Sequence, residues 1–332
     1  MSLPRPSSSV SDTPLLEVQD LSVTYANGVR AVDRVSLQVR AGETLAIVGE
    51  SGCGKSSLAK LIMRIQEPTG GRILFDGCDL TALNRRRLRP LRRRFQMIFQ
   101  DPFASLNPRA TVGNILATQC VVQGGGTRAE RQERVDAAAR RVGLDASALD
   151  RYPHEFSGGQ RQRIGIARAL ILEPELIVCD EPVSALDVSI RAQILNLLLE
   201  LQRERNLAYV FVSHDMSVVE HVADRIAVMY LGRIVESGDV VAVLSEPAHP
   251  YTRALLDSVP RLDPSLRHRR IPVPMGDLPS PTHPPSGCHY HPRCPLATEV
   301  CRRDAPALRP LPGRGLVACH HAEIAAAGAV HA

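Results

Sequence analysis

The sequence predicts an α/β fold with a core of buried strands and helices, an antiparallel β subdomain, a helical insertion and a C-terminal extension rich in proline and cysteine. Apolar runs with β-branched members at residues 45–48 and 176–179 predict buried core strands. Alternating apolar and polar residues over 15–25 and 31–39 predict antiparallel strands. Thirteen of the 25 prolines lie between Pro260 and Pro312, too many for helices or central strands, so this part is expected to be appended to the core.

A glycine-rich stretch follows the first core strand. Gly49, Gly54, Lys55 and Ser56 fill the G-x-x-x-x-G-K-[ST] pattern, and helical spacing resumes at residues 57–65. Such a loop turns several backbone N–H groups toward one anion, and the N-terminal end of the next helix favours phosphate. We expect Lys55 to reach the β- and γ-phosphates and Ser56 to complete a Mg²⁺ shell. An ordinary glycine-rich turn is the alternative, but one of only two lysines in the chain stands where the phosphate-loop pattern requires it.

Composition indicates a soluble globular protein, because hydrophobic residues make up 44% and charged residues 23% of the chain. No apolar run approaches the roughly 18 residues of a membrane span, and no signal peptide is recognised. Residues 1–14 are expected to form a disordered lead-in. The net charge of +5 is carried by arginine, most densely at residues 85–94. This run is interpreted as a solvated, partly partner-facing surface, because no aromatic residues for stacking nucleic-acid bases are interleaved with it.

A serine-glycine-glycine segment marks a second helix N-terminus. Ser157, Gly158, Gly159 and Gln160 precede a helical run at residues 161–170. Ser157 is a suitable N-cap, and the glycines let the backbone approach a ligand. A flexible loop is the alternative for this segment taken alone. After a phosphate loop, the segment predicts a second place where a helix end meets an anion.

Two acidic residues and a histidine follow predicted core strands. Asp180 and Glu181 come after residues 176–179, at the edge where open α/β sheets bind ligands. Asp180 suits Mg²⁺ binding, and Glu181 suits orienting or deprotonating an attacking water. His214 follows the predicted strand at 208–212, from which it can reach a γ-phosphate, although a single histidine is more often structural.

In their order along the chain, these motifs resemble those of the ATP-binding-cassette ATPases. The resemblance covers about residues 15–244 and includes the phosphate loop, Gln100, the segment from Phe156 to Gln160, the acidic pair, residues 184–187 and His214. Phe156 stands where the family usually has leucine. The resemblance implies a nucleotide-binding domain at residues 15–245, with a helical subdomain at about 101–165, and a C-terminal extension at 246–332.

The resemblance also implies roles for individual residues. Glu181 would be the catalytic base, His214 the γ-phosphate sensor, and Gln100 the link to a membrane partner. The implied ATP-binding residues are Tyr25, Gly49, Ser51, Gly52, Gly54, Lys55, Ser56 and Ser57, and the implied Mg²⁺ ligands are Ser56, Gln100 and Asp180. Two cassettes would pair head to tail, so that a second cassette completes the site with its Ser157, Gly158, Gly159, Gln160 and Asp187.

The C-terminal extension narrows the resemblance. Residues 249–256, His-Pro-Tyr-Thr-Arg-Ala-Leu-Leu, and the cysteines that follow resemble the ATPase subunits of oligopeptide, dipeptide and nickel importers. This implies a [4Fe–4S] cluster held by Cys288, Cys294, Cys301 and Cys319. Zinc is the alternative, because His320 and His321 stand beside Cys319, although closely paired zinc-type cysteines are absent. Because the extension has little apolar content, ligation is expected to supply much of its order.

Taken together, the resemblance implies an ATP-hydrolysing subunit of an importer for di- or oligopeptides or related small solutes, peripheral at the cytoplasmic face of the membrane. Its partners would be a second ATPase chain, sister or self, two transmembrane permease subunits and, indirectly, an extracytoplasmic substrate-binding protein; no nucleic acid is expected. The rival is a soluble cassette ATPase of translation or DNA repair. That class usually carries two cassettes or a long coiled-coil insertion, whereas only 56 residues separate Gln100 from Ser157 here, without sustained heptads.

Overall fold

The computed structural model describes residues 13–123, 125–258 and 279–327, and the lead-in predicted at residues 1–14 falls outside them except for its last two positions. Two compact units are present. Unit 1 consists of the described residues of Met1–Glu17, Leu37–Glu43 and Ile73–Phe211. Unit 2 consists of the described residues of Val18–Ser36, Thr44–Arg72 and Val212–Ala332.

Strands and helices are intermixed along the described chain and alternate singly from Gly158 to Tyr230. The strands are β1 (Leu16–Thr24), β2 (Arg30–Val39), β3 (Thr44–Val48), β4 (Gly70–Phe75), β5 (Cys78–Asp79), β6 (Phe95–Ile98), β7 (Leu176–Asp180), β8 (Ala208–Ser213), β9 (Arg225–Tyr230), β10 (Arg233–Asp239), β11 (Arg309–Leu311) and β12 (Gly315–Val317). The helices are α1 (Lys55–Ile62), α2 (Arg85–Leu91), α3 (Pro102–Ser105), α4 (Val112–Val122), α5 (Arg128–Arg141), α6 (Gly158–Leu170), α7 (Val188–Arg205), α8 (Met216–Val222), α9 (Val240–Ser245), α10 (Pro250–Asp257), α11 (Glu299–Arg303) and α12 (Ala322–Ala327). The predicted α/β class is confirmed.

The sheets combine antiparallel and parallel pairing. In unit 1, the end of β4 pairs with β5 in antiparallel fashion. In unit 2, β3 pairs in parallel with β9, and β9, β10, β12 and β11 continue as antiparallel neighbours. In unit 1, β6 and β7 pair in parallel. All five residues of β3 and of β7 are buried, as expected for strands covered on both faces.

The arginine run at residues 85–94 is largely helical. The Asn84 side chain accepts a hydrogen bond from the Arg87 backbone N–H at 3.0 Å and so caps α2. Arg94 differs from the rest of the run, because its guanidinium binds Glu175 at 2.6 Å and Asp76 at 2.7 Å. These two carboxylates hold the pKa of Arg94 above its usual value. Arg94 is therefore a structural cation of unit 1 and not part of a free basic surface.

The described part of the extension has an apolar core, contrary to the expectation from its composition. Tyr290 is 2% exposed and packs with Tyr230 and Tyr251, with ring centroids 5.3 and 5.4 Å away. Val317 and Ala322 are fully buried in a second cluster of unit 2. Strand β12 also pairs with β10, so the described extension is stabilised by the sheet of unit 2 as well as by its own side chains.

A buried polar network fixes the chain between β10 and α10. The carboxylate of Glu236, fully buried, accepts hydrogen bonds from the backbone N–H groups of Ala248 at 2.7 Å and His249 at 3.0 Å. His249 in turn caps α10, because its Nδ1 accepts the Tyr251 N–H at 3.0 Å. Burial lowers the pKa of His249 to about 3, so the imidazole is neutral in the folded protein and Nδ1 remains an acceptor.

We predict that His249 makes the folded state less stable in mild acid. An unfolded histidine binds a proton below about pH 6.5, whereas folded His249 does so only near its pKa of about 3. Between these values the unfolded chain holds more protons, so the free energy of unfolding falls as pH falls, by up to about 1.4 kcal/mol per pH unit.

Urea unfolding of the wild type and His249→Asn at about pH 7.5 and about pH 5.5 measures this loss. Asparagine can still cap α10 but does not titrate, so the variant should lose less stability over the interval. Other titrating groups, including Glu236, are common to both proteins and cancel in the difference. Equal losses in the two proteins would contradict the prediction.

Candidate nucleotide site

The phosphate loop connects β3 to α1 in unit 2, and two of its glycines are required by their surroundings. Gly54 has a backbone φ of +108° and Gly49 one of +154°. Residues other than glycine rarely adopt these angles. A Cβ on Gly54 would collide with the backbone carbonyl oxygen of Ala31, and one on Gly49 would collide with that of Met229. Glycine is therefore required at both positions, because any side chain would prevent the backbone at Ala31 and Met229 from lying this close to the loop.

Lys55 lies on the inner side of this loop. Its side chain is buried, and Nζ donates hydrogen bonds to the carbonyl oxygens of Gly49 at 2.8 Å and Glu50 at 2.9 Å. Ser51 and Gly52 are exposed on the loop, and Ser56 is half-buried in the first turn of α1. Ser57 is within hydrogen-bond distance of the Tyr25 hydroxyl, at 3.0 Å between the two oxygens. Unit 2 thus brings Tyr25 and the loop residues together.

In unit 1, β7 ends at Asp180, which is buried, and Glu181 follows it. Glu181 has φ +46°, a left-handed conformation that is uncommon for a non-glycine residue. Gln100 donates from Nε2 to Glu181 Oε2 at 3.1 Å, and the Ser184 hydroxyl donates to the Glu181 carbonyl at 3.1 Å. The structure therefore brings two of the three predicted catalytic side chains into contact and holds Glu181 in an unusual backbone conformation, a feature that is frequent at functional sites.

The serine-glycine-glycine segment forms the N-terminus of α6. Ser157 and Gln160 form a reciprocal capping box, in which Gln160 Oε1 accepts the Ser157 N–H at 3.0 Å. Both residues are exposed. Gly159 is buried against Ile190, whose side chain would collide with any added Cβ. Phe156, which stands where leucine is usual, is buried, and the Arg151 guanidinium lies 4.4 Å from its ring centroid.

The remaining predicted residues are divided between the units. His214 is exposed immediately after β8 and lies in unit 2. Asp187 is exposed at the N-cap of α7, and Val188 beside it is 80% exposed. Of the predicted Mg²⁺ ligands, Ser56 belongs to unit 2, and Gln100 and Asp180 belong to unit 1.

The four cysteines of the extension lie close enough to influence one another. Burial and, to a smaller extent, the neighbouring cysteines of the set raise the pKa of the Cys294 and Cys319 thiols to about 11 each. The Cys288 N–H donates to the Cys301 carbonyl at 2.8 Å, which joins the segment around Cys288 to α11. Among the described residues, however, no group of three or more His, Cys, Asp or Glu side chains is arranged to hold a metal ion.

The pattern of the phosphate loop treats residues 50–53 as variable, and the sequence suggested no role for Glu50. In the structure its carboxylate forms a two-pronged ion pair with Arg293 of the extension, at 2.9 and 3.0 Å. The one available signal was an acidic residue in a loop that receives an anion, where an unpaired carboxylate is unfavourable.

This combination of loop, acidic pair and capped helix defines a P-loop nucleotide-binding protein. Comparison with known proteins is more specific. The family model described as "ABC transporter" matches residues 32–184, and the model described as "Oligopeptide/dipeptide transporter, C-terminal region" matches residues 235–301. No helix in the described part of the chain is long and apolar enough to cross a membrane.

Several curated relatives are similar over most of their length. A probable peptide ABC transporter ATP-binding protein of Sinorhizobium fredii is 54% identical, over 88% of this chain and 82% of its own. A dipeptide transport ATP-binding protein of Haemophilus influenzae is 49% identical, over 93% and 97%. An oligopeptide transport ATP-binding protein of Bacillus subtilis is 53% identical, over 88% and 89%.

Solved structures of ABC transporter subunits also match this chain. The cbiO1 subunit of a Clostridium perfringens ABC transporter complex matches with a TM-score of 0.64 at 32% identity, covering 70% of this chain and 91% of that one. An ATP-binding cassette solved as a dimer in a post-hydrolysis state with ADP and Pi matches with a TM-score of 0.63 at 28% identity, covering 68% and 98%. The chain belongs to the ABC transporter family and is an ATPase of the cassette type.

We predict that Gly54→Ala strongly weakens ATP binding. The new Cβ would meet the Ala31 carbonyl, so the loop must move, and displacement of a binding loop by about 1 Å can cost on the order of a hundredfold. Gly77→Ala is the matched control: Gly77 also has positive φ, +74°, but no atom lies within 4 Å of its added Cβ. Titration with a fluorescent ATP analogue should show wild-type affinity for the control. Retained affinity in Gly54→Ala would contradict the role assigned to the loop geometry.

Proposed function

We propose that this chain is the ATP-hydrolysing subunit of an importer for di- or oligopeptides or related small solutes. The observation that carries the proposal is that one chain combines a cassette with a C-terminal segment that matches the oligopeptide/dipeptide transporter model. The relatives are named for peptide, dipeptide and oligopeptide transport. The subunit would act at the cytoplasmic face of the membrane with two permease subunits and, indirectly, a substrate-binding protein. Its cassette would span residues 15–245, with the helical subdomain at about 101–165 and the extension at 246–332.

In this proposal the phosphate loop binds the nucleotide and Glu181 acts as general base. The hydrogen bond from Gln100 and the left-handed backbone at Glu181 support that role, because both limit the directions in which the carboxylate can point. His214 would sense the γ-phosphate. Mg²⁺, bound through Ser56, Gln100 and Asp180, would stabilise charge developing on the phosphates. The remaining ATP-binding residues are those predicted: Tyr25, Gly49, Ser51, Gly52, Gly54, Lys55 and Ser57.

A second cassette, from the same chain or a sister chain, would complete the site with its Ser157, Gly158, Gly159, Gln160 and Asp187. The exposure of Ser157, Gln160 and Asp187 supports this, because an exposed helix N-terminus is able to receive an anion from another molecule.

We predict that Glu181→Gln slows ATP hydrolysis and transport by about 10²-fold or more while ATP binding is kept, as expected for loss of a general base. The measurement is ATP-dependent uptake of labelled dipeptide into proteoliposomes that contain this chain and its co-purifying permease subunits. Light scattering of the ATP-loaded variant, alone and with its sister chain, reports whether a second cassette binds.

Glu200→Gln, the same change at an exposed position of α7, is the control and should retain activity. Near-normal steady-state hydrolysis by Glu181→Gln would sink the assignment of the base. ATP hydrolysis by the wild type without uptake of any di- or oligopeptide would remove the proposed substrate class and leave the ATPase.

We also propose that Cys288, Cys294, Cys301 and Cys319 bind a [4Fe–4S] cluster, with zinc as the alternative. Hydrogen-bond donors near two of the sulfur atoms support the proposal that these cysteines act as thiolate ligands. The His321 N–H donates to Cys319 Sγ at 3.3 Å, and the Thr298 hydroxyl lies 3.6 Å from Cys301 Sγ. Backbone N–H groups also lower the pKa of Cys288 and Cys294, against a larger increase from burial. Such hydrogen bonds stabilise metal-bound thiolates, and four thiolates suit this cluster. Cassette ATPase chemistry requires no electron transfer, so the role would be structural or regulatory.

We predict that protein purified without oxygen is brown and contains about four irons per chain. Cys294→Ser should lose the iron and the visible absorption, whereas Cys78→Ser, a change at an exposed cysteine outside the set, should retain both. A colourless preparation with one zinc per chain would select the alternative. Protein with neither metal would overturn the proposed cofactor.

A further inference from the structure

The backbone N–H, the backbone carbonyl oxygen and the side-chain carboxylate of Glu50 each bind a neighbouring residue of unit 2. The backbone N–H of Glu50 donates to the Tyr251 hydroxyl oxygen at 2.8 Å. Its carbonyl oxygen accepts from Lys55 Nζ at 2.9 Å, and its carboxylate pairs with Arg293. Glu50 is therefore a phosphate-loop residue that both Tyr251 and Arg293 of the C-terminal extension contact directly.

The Arg293 side chain is fixed by its surroundings as well as by Glu50. Its side chain is only 7% exposed, and its guanidinium lies 6.0 Å from the ring centroids of both Tyr230 and Tyr290. Both nitrogens of the planar fork are engaged, one by each carboxylate oxygen of Glu50. A two-pronged pair of this kind, with the arginine buried and the carboxylate half-buried, fixes direction as well as distance.

Tyr251 is fixed equally well. It is fully buried, its ring packs 4.6 Å from that of Tyr230, and its backbone N–H is held by His249 Nδ1. The hydroxyl accepts the Glu50 N–H, so the direction of this loop amide is set by Tyr251. Tyr251 and Arg293 thus contact the main chain and the side chain of the same loop residue.

We propose that Arg293 and Tyr251 are positioning residues for ATP binding: they hold Glu50 so that the phosphate loop and Lys55 keep the geometry that receives the phosphates. This inference rests on the nucleotide site proposed above. Neither residue would touch the nucleotide. The physical basis is preorganisation, because a loop that is already ordered loses less conformational freedom when the ligand binds.

A purely structural role for Arg293, as an anchor of the extension, is the competing explanation. It predicts loss of thermal stability and of the active fraction without a change in ATP affinity among the molecules that remain folded. The positioning role predicts a higher KM and Kd for ATP with a smaller change in kcat. The two explanations therefore differ in what titration of folded protein shows.

The experiment measures ATP affinity and steady-state hydrolysis of full-length wild type, Arg293→Met, Arg293→Lys, Glu50→Gln and the double variant Glu50→Gln/Arg293→Met. We expect Arg293→Met to raise Kd and KM for ATP roughly fivefold or more, since contacting charged pairs show couplings of that order. Arg293→Lys should recover part of the loss, because it keeps the charge but not the fork. The double variant should be no weaker than the worse single variant, because both changes break one interaction.

Arg309→Met is the matched control, since it breaks the ion pair of the extension with Glu323, 2.7 Å long, which does not involve the phosphate loop. It should leave ATP affinity unchanged. Additive effects of Glu50→Gln and Arg293→Met, an unchanged Kd in Arg293→Met, or tighter ATP binding would each overturn the proposal. If Arg293→Met does not fold, Arg293→Lys and Glu50→Gln decide by the same criteria. Failure of the wild type itself to bind ATP would instead refute the nucleotide site.

Discussion

The conformation of the phosphate loop depends on two backbone carbonyl oxygens that approach it closely. Those of Ala31 and Met229 lie where a Cβ on Gly54 or Gly49 would have to be. Ala31 belongs to β2 and Met229 to β9, so the loop is shaped by strands that are distant from it in sequence. Strand β9 is in turn paired with β3, which leads into the loop, and with β10, to which β12 of the extension is added. The loop geometry is thus a property of unit 2 and not of the motif alone.

This dependence explains which parts of the site could be predicted. The loop, the acidic pair and the capped helix are each encoded by contiguous residues, and a local pattern suffices for them. The ion pair between Glu50 and Arg293 joins residues 243 positions apart, and no local pattern shows which arginine would pair with an acidic residue of the loop. The motif around Tyr251 was recognised by resemblance, but the reason for its tyrosine, a hydroxyl that binds the Glu50 amide, requires the fold.

The extension shows the limit of reasoning from composition. Its many prolines and few apolar residues predicted a segment without a core, yet Tyr290, Val317 and Ala322 are buried within unit 2. Composition does not show which of the few apolar residues meet in the fold. A cluster within the extension consists of Ala248, Leu311, Val317, Cys319 and Ala322, and Tyr290 packs with Tyr230 of β9. A three-residue strand such as β12 is also too short for alternation to reveal it. The domain boundary predicted at residue 245 stays a prediction. Residues on both sides of it belong to unit 2.

The polar groups buried beside this boundary have a consequence for the site. Burying a carboxylate and an imidazole is costly, and burial raises the pKa of Glu236 even with two backbone N–H donors. Apolar side chains could fill the same space at lower cost, but they would not specify one conformation for Ala248 and His249. With the two backbone N–H groups held by Glu236 and the next turn capped by His249, α10 begins at one defined residue. That fixed start determines where the Tyr251 hydroxyl lies, and so the direction of the Glu50 amide in the phosphate loop.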